Sequence, residues 1–417
     1  MQGHRPRLSR KLGRGEISRI VKCIPGRRRR VIAAAAACAL LFLSGCPAAR
    51  TGPDPRKLES RRKTSFQYFG TVCFASVYDD FSSDSSRNRF EEAWQEITDM
   101  LARLEASASL DKAGSDLRRF NDARGGERVP VSATTADIIA LARRLYEETG
   151  GAFNPAVANL VDLWGFSPRF RNKSDLRMPY DRPSDEEGGF GLPDPRYVEA
   201  FRRLSDFSLV RLGGSAEEGY FLTKEASDIA IDGVPYSLKI DLGGIAKGYG
   251  ADKAAAILEA FGYEYGYVNL GLSSMRLLKR NVSDEGAPGR NMWAVHISDP
   301  EDSAKDFLSL YGKDTGLSTS GTYDLSYSRE GREYSHIIDG NTGEPTRSDI
   351  LSVTVLGPDA ASDDALSTAL CVMGSEKAED FMNTRMKGFK AAMIVRRESG
   401  RLDLVTNMKK GEYALTR

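Results

Sequence analysis

The run Lys239-Ile-Asp-Leu-Gly-Gly-Ile-Ala-Lys-Gly-Tyr-Gly-Ala-Asp252 most constrains what this chain can fold into, with alanine, isoleucine and leucine continuing at helical spacing to Phe261 and Gly262 behind them. This pattern predicts a strand, a glycine turn and a helix over 253–261 that Gly262 stops. Glycines 243 and 244 let the backbone approach a ligand closely, and the free amides at the start of the following helix favour an anion there. A phosphate is the chemistry implied. The segment is not a Walker loop, because no Gly-Lys-Ser/Thr closes it, and Gly248-Tyr-Gly250 lacks dinucleotide spacing. A plain turn would account for the glycines but leaves Asp241 and Lys247 beside them unexplained.

A second constellation lies in Asp363-Asp364-Ala-Leu-Ser-Thr368-Ala-Leu370. Four residues separate Asp364 from Thr368, so a helix puts both oxygen-bearing side chains on one face. The chain has only three histidines, and a metal site would therefore be built from oxygens, which suits magnesium or calcium better than zinc. The plain alternative is an Asp near a helix start with a buried Thr one turn later.

The N-terminus carries arginines at 27 to 30, an apolar run from Val31 to Leu43, and Leu43-Ser-Gly-Cys46. Together these read as a lipoprotein signal over residues 1–45, with Cys46 as the lipid-bearing first residue of the mature chain. The apolar run is short for a ~20-residue membrane span. Removing residues 1–45 takes away eleven Lys/Arg and one Glu, leaving 48 basic against 57 acidic residues and a charge of −9. Nucleic acid is excluded as a partner on that balance. Cys73 and Cys371 are the thiols left in the body, both in apolar runs, and they read as small buried apolar residues rather than a disulfide framework.

Residues 46–64 are polar and basic with three prolines, the composition of a tether. An irregular stretch at about 167–195, rich in Arg, Asp, Glu, Pro and Gly, reads as a surface insertion. Alternating apolar patterns predict strands over 69–77 and 352–356, and helical spacing predicts helices over 89–104 and 135–149. A body of this length exceeds a simple bundle, and a mixed α/β enzyme with a cleft is expected.

Several separate landmarks, in one order, carry a resemblance. They are Gly70-Thr71; Ser115-Asp-Leu-Arg-Arg-Phe-Asn121; Gly151-Ala-Phe-Asn-Pro155 with Leu163-Trp-Gly-Phe166; Asp241-Leu-Gly-Gly-Ile-Ala-Lys-Gly248; Val268-Asn-Leu-Gly271; Ser318-Thr-Ser-Gly321; Ser335-His-Ile-Ile-Asp339 with Thr342-Gly343; and Asp364 with Thr368. The chain resembles the ApbE family of flavin transferases, which move FMN from FAD onto a protein. The resemblance implies a mixed α+β, two-lobed fold over 65–417, with FAD and a metal in the cleft between the lobes. It also implies Mg2+ held by Asp364, Thr368 and the backbone carbonyl of Gly244, and FAD held as substrate near Leu110, Ala152, Phe153, Asn154, Asp241, Lys247 and Ile338. Ile337 and Ile338 read equally as flavin-packing or core residues. The implied acceptor is an extracytoplasmic protein presenting a Thr or Ser hydroxyl, and the implied location is a membrane surface facing the periplasm or extracytoplasmic space.

His336 is the histidine that falls in a family motif, and an imidazole can take a proton from an attacking hydroxyl near neutral pH. It is the candidate general base, the alternative being a histidine that only hydrogen-bonds a loop. Ser335, His336 and Asp339 are too close in one short segment for a hydrolase triad, and no nucleophile elbow is present. The sequence departs from the family pattern at four positions. Asn154 stands where an Asp is typical, Leu110 replaces an aromatic, Leu272 replaces a second glycine, and Gly340 replaces a proline. Two rival functions share these residues: a magnesium-dependent FAD pyrophosphatase that gives free FMN and AMP, and a flavin-binding lipoprotein without turnover.

Overall fold

The computed structural model describes residues 58–167, 192–225, 228–279, 281–282, 291–323 and 325–416. The leader, Cys46, most of the expected tether and most of the expected insertion lie outside the described residues. Within them an eight-stranded sheet forms the frame. Its strands are β1 (Glu59–Ser65), β2 (Cys73–Asp79), β3 (Gly266–Leu270), β4 (Ser274–Leu277), β5 (Thr315–Gly321), β6 (Ile350–Gly357), β7 (Lys390–Arg396) and β8 (Leu402–Thr406). They lie side by side in chain order, every neighbour antiparallel.

The middle strands are apolar on both faces because the sheet is covered twice. Along β7, Ala391, Met393 and Val395 enter one core while Ala392 and Ile394 enter another. That is the period-two alternation of a strand buried on both sides. Strand β1 is one edge of the sheet, and β8 the other. The tether expected over 46–64 therefore stops short of Glu59, a correction with a plain cause: Lys63 pairs with Glu91, Arg61 lies over the Phe81 ring and Arg62 over Phe74. Basic side chains whose stems cover aromatic rings are compatible with an edge strand, and charge there also blocks further strand pairing.

Eight helices accompany the sheet among the described residues: α1 (Asp84–Ala108), α2 (Asp116–Asp122), α3 (Ala133–Glu148), α4 (Ala158–Leu163), α5 (Pro195–Arg203), α6 (Ala246–Ala260), α7 (Ala360–Met373) and α8 (Ser375–Thr384). The first six fill the long connection between β2 and β3, and the last two the connection between β6 and β7. The helices expected at 89–104 and 135–149 are α1 and α3. Both start earlier than the apolar spacing suggests, because Ser83 and Ser132 accept from the amides three residues on and cap the first turn. Along α1 the buried face is Phe90, Ala93, Ile97, Leu101 and Leu104, the three-and-four spacing of one helical stripe.

The expected strand at 239–242 does not form. That segment pairs with no strand among the described residues; instead Asn121 takes a strand's place, donating from Nδ2 to the Ile240 carbonyl at 2.8 Å and accepting the Ile240 amide at 2.9 Å. The helix that follows is longer than the apolar spacing indicates, starting at Ala246 rather than Lys253. The strand expected over 69–77 begins at Cys73, because Phe69 and Gly70 take positive φ in a turn. No helix among the described residues is long and apolar enough to cross a membrane. Cys73 and Cys371 are both buried thiols, and burial pushes the Cys73 thiol up to about 11, which leaves it unreactive at neutral pH.

Candidate functional site

Helices α6 and α7 meet at their N-terminal turns, and the meeting requires glycine. A Cβ on Gly248 would lie 2.1 Å from the Ala360 carbonyl oxygen, far inside van der Waals contact. Glycine inside a helix costs about 0.5–1 kcal/mol against alanine, and here that cost is offset by the close approach. The contact brings Gly244 and Lys247 of one element against Asp364 and Thr368 of the other.

Asp364 is buried, 3% exposed. Its Oδ2 accepts the Gly248 amide at 3.1 Å and lies 3.8 Å from Lys247 Nζ, and its Oδ1 accepts from the Ser318 hydroxyl at 3.3 Å. Thr368 stands one turn on, its Oγ1 donating to the Asp364 carbonyl at 3.2 Å and lying 3.4 Å from Ser320 Oγ. A Cβ on Gly244 would sit 3.3 Å from Thr368 Oγ1, so the Gly244 backbone runs directly past that hydroxyl. The three residues expected to hold a metal are thus brought together.

Several amides of the turn and of the helix start have partners within the protein. Gly243 donates to Asp241 Oδ1 at 2.7 Å, Gly248 donates to Asp364, and Ala246 donates to the Leu242 carbonyl. A carboxylate of the protein itself, that of Asp364, thus meets an amide in the first turn of α6. Asp241 is held above the usual carboxylate range by desolvation, opposed by the Gly243 amide and Lys247. Lys247 Nζ donates to the Gly243 carbonyl at 2.9 Å, which bends the lysine back over the turn toward Asp364.

A buried clamp fixes the turn from below. Lys224 is 1% exposed and donates to the carbonyls of Phe120, Asn121 and Leu238 at 2.8 to 3.3 Å. With the Asn121 pair to Ile240 it ties the end of α2 to the strand-like segment that carries Asp241 and Gly244. Burial, reinforced by the nearby Lys239 charge, lowers the Lys224 pKa to about 8. The ordinary lysine value is higher, so between about pH 8 and about 10.4 the unfolded chain binds a proton that the folded chain does not. Stability from this group is fully present above that window and is lost as pH falls through about 8. Relative to Lys224→Met, the wild type is expected to gain stability on the order of 3 kcal/mol across the window, and thermal melts of both proteins at pH 7.5 and 10 check the difference.

The remaining expected residues divide. Phe153 is buried, with its ring edge 3.4 Å from the position of a Cβ on Gly244, and so walls the turn. Ala152 and Leu110 are partly buried against the same core. Asn154 caps a short helix, accepting the Ala156 amide at 2.9 Å and donating to the Ser205 carbonyl at 2.7 Å. A Cβ on Gly340 would lie 2.4 Å from Asn154 Nδ2, so two departures from the family pattern, at 154 and 340, pack against each other. Ile338 lies in a core cluster, 6% exposed among Leu160, Trp164 and Phe201. Ile337 is likewise core.

His336 is anchored to Leu325, whose carbonyl meets both its backbone amide at 2.9 Å and its Nδ1 at 3.3 Å. A carbonyl only accepts, so the Nδ1 contact is a hydrogen bond when the neutral ring carries its proton there, with the lone pair on Nε2. That is the tautomer a base needs. Ser335 Oγ is buried without a hydrogen-bond partner, so it forms no triad with the neighbouring imidazole. Sequence reasoning missed Lys224, and it took Asn121, Ser318 and Ser320 only as landmarks, although Asn121 holds Ile240 and the two serine hydroxyls line the Asp364 and Thr368 face. Their spacing of two in an alternating strand was the available signal.

The ApbE family model matches residues 69–393. The FAD:protein FMN transferase of Escherichia coli strain K12 is 30% identical over 363 residues, covering 86% of this chain and 90% of that protein. The protein of the same name from Treponema pallidum is 30% identical over 311 residues, covering 74% of this chain and 78% of its own. Among solved structures, the flavin transferase ApbE of Vibrio cholerae superposes with a TM-score of 0.63 at 26% identity, covering 84% of this chain and 97% of its own. The ApbE protein of Thermotoga maritima gives 0.64 at 25%, covering 83% and 96%. A family match over 69–393 and 30% identity across most of both chains place this chain in the ApbE family.

Proposed function

We propose that this protein transfers FMN from FAD to a Thr or Ser hydroxyl of an acceptor protein, with magnesium, releasing AMP. FAD as substrate and a protein as acceptor agree with the names of its relatives. The observation that carries the magnesium reading is the group of oxygens around Asp364: a buried carboxylate beside the Thr368 hydroxyl and the Gly244 backbone, with Lys247 Nζ 3.8 Å away. Asp364, Thr368 and the Gly244 carbonyl fit a hard cation by donor type. Magnesium bound there would neutralise charge on the pyrophosphate oxygens.

The chain's own groups supply the rest. Lys247 holds a fixed positive charge over the turn, and Asp241 and Asp364 occupy the nearby amides, so the substrate phosphates depend on cations rather than on the helix terminus. Nε2 of His336 accepts the proton of the acceptor hydroxyl. The hydroxyl oxygen bonds to the phosphorus of the FMN half, the bond from that phosphorus to the bridging oxygen breaks, and the bridging oxygen leaves with AMP. Purified protein lacking residues 1–46, incubated with FAD, magnesium and candidate acceptors, should release AMP and leave flavin fluorescence on the acceptor band. Free FMN with AMP and no labelled protein would favour the pyrophosphatase, and intact FAD retained without AMP would favour simple flavin binding.

The Leu-Ser-Gly-Cys46 signal supports a lipid anchor on the extracytoplasmic face of a membrane. Cys46→Ser should abolish incorporation of labelled fatty acid and move the processed protein to the soluble fraction. Retention of a signal-cleaved variant in the membrane would contradict the anchor.

A further inference from the structure

We propose that Leu272 is a docking contact for the acceptor polypeptide, received by an apolar residue next to the hydroxyl that takes FMN; this rests on the transferase reading above. Among the described residues, six that are not glycine have positive φ: Phe69, Asp232, Leu272, Asn291, Asp314 and Glu330. Four are polar or charged, and Asn and Asp adopt this conformation more readily than bulkier residues. Phe69 and Leu272 are the bulky apolar pair. They lie on two loops that touch, because the Gly271 amide donates to the Val72 carbonyl at 2.8 Å and a Cβ on Gly271 would sit 3.3 Å from Thr71.

The two differ in what offsets the strain. Phe69 packs against two cores and its amide is taken by Glu105. Leu272 is 71% exposed, and its φ is +58°. Its one anchoring contact is backbone, the amide donating to Asn269 Oδ1 at 2.9 Å, and glycine or asparagine would make the same bond. The side chain is thus both strained and solvent-facing, and in the free protein it gains nothing from either. A residue of that kind is accounted for by a bound state.

Its neighbours tie it to the reaction centre. A Cβ on Gly271 would lie 3.1 Å from Lys247 Cδ. On the other side the Ser273 carbonyl accepts from Ser318 Oγ at 3.3 Å, and the same hydroxyl reaches Asp364 Oδ1 at 3.3 Å. Leu272 therefore stands on the rim between Lys247 and Ser318, facing outward. An incoming polypeptide must bring its hydroxyl to this place from solvent, and an apolar side chain beside that hydroxyl would bury Leu272 as it does so.

The test uses synthetic peptides, each with one Thr or Ser flanked by apolar or by polar residues, and three proteins: wild type, Leu272→Gly and Leu272→Asn. Asparagine tolerates the backbone conformation, so a folded control is kept whichever variant is compared. The wild type should label apolar-flanked peptides preferentially. Both variants should show a KM for the best peptide raised about tenfold or more, with kcat and the FAD dissociation constant unchanged and melting temperature equal or higher. Peptide KM unchanged in both variants, or a parallel rise in the FAD dissociation constant, overturns the docking role. A wild type that releases AMP yet labels no peptide overturns it together with the transferase reading.

Discussion

Asp364→Ala is expected to abolish magnesium-dependent AMP release, by roughly 10^3-fold or more, the scale of losing several kcal/mol of charge stabilisation on a pyrophosphate. The fold should survive the change. Asp364 is buried and accepts from Gly248 and Ser318, and its loss leaves those donors unsatisfied, which costs about 1–3 kcal/mol. The core around it stays apolar and continuous through Ala361, Ala365 and Ala369. Asp364→Asn sharpens the result, since it keeps the shape and most of the hydrogen bonding but removes the charge. AMP release measured over a magnesium titration, with a melting curve for each variant, separates lost chemistry from lost structure. Activity within a few-fold of wild type in Asp364→Asn would remove the carboxylate from the reaction.

Gly248→Ala should destabilise the protein by about 3 kcal/mol, at the upper end of the cost of overpacking a tight contact. The added methyl would meet the Ala360 carbonyl at 2.1 Å. That oxygen belongs to backbone, so it cannot swing aside as a flexible side chain would. Relief requires α6 and α7 to separate, which also lengthens the bond from the Gly248 amide to Asp364. Activity should fall further than stability explains. Denaturant melts give the first quantity and AMP release at a temperature where the variant remains folded gives the second; a variant that melts with the wild type would show that the helices are less tightly joined than this contact implies.

The local signals in the sequence read well where one element decides the outcome. The pairing of Asp364 with Thr368 follows from helical spacing alone, and α1 and α3 follow from their apolar stripes. Reading failed where a distant residue decides. The strand expected before the glycine turn is replaced by a side-chain amide 119 residues away, Asn121 on Ile240, and nothing near residue 240 could announce it. The early start of α6 was hidden in the same way. Gly248 and Gly250 weaken a helix locally, and only the approach of Ala360, Leu104 and Leu270 explains why no side chain could stand there. Composition misled at Glu59–Ser65, where charges suited to a tether instead protect a sheet edge.

The site shows the same division. Residue types suggested a phosphate near the glycine turn, and the structure adds that the Gly243 and Gly248 amides are held by Asp241 and Asp364. This follows from geometry across two helices. The serines of β5 were quoted for their order in the chain, whereas their alternation places Ser318 and Ser320 on the face toward α7.

The most direct measurement of the central claim is the ratio of AMP released to flavin bound on protein, followed in one reaction of the mature enzyme with FAD, magnesium and an acceptor polypeptide. The account predicts one AMP for each flavin attached, no reaction when magnesium is chelated, and none with Asp364→Asn. AMP formed in equal amount with chelator present, or matched by free FMN with no flavin on protein, would contradict it.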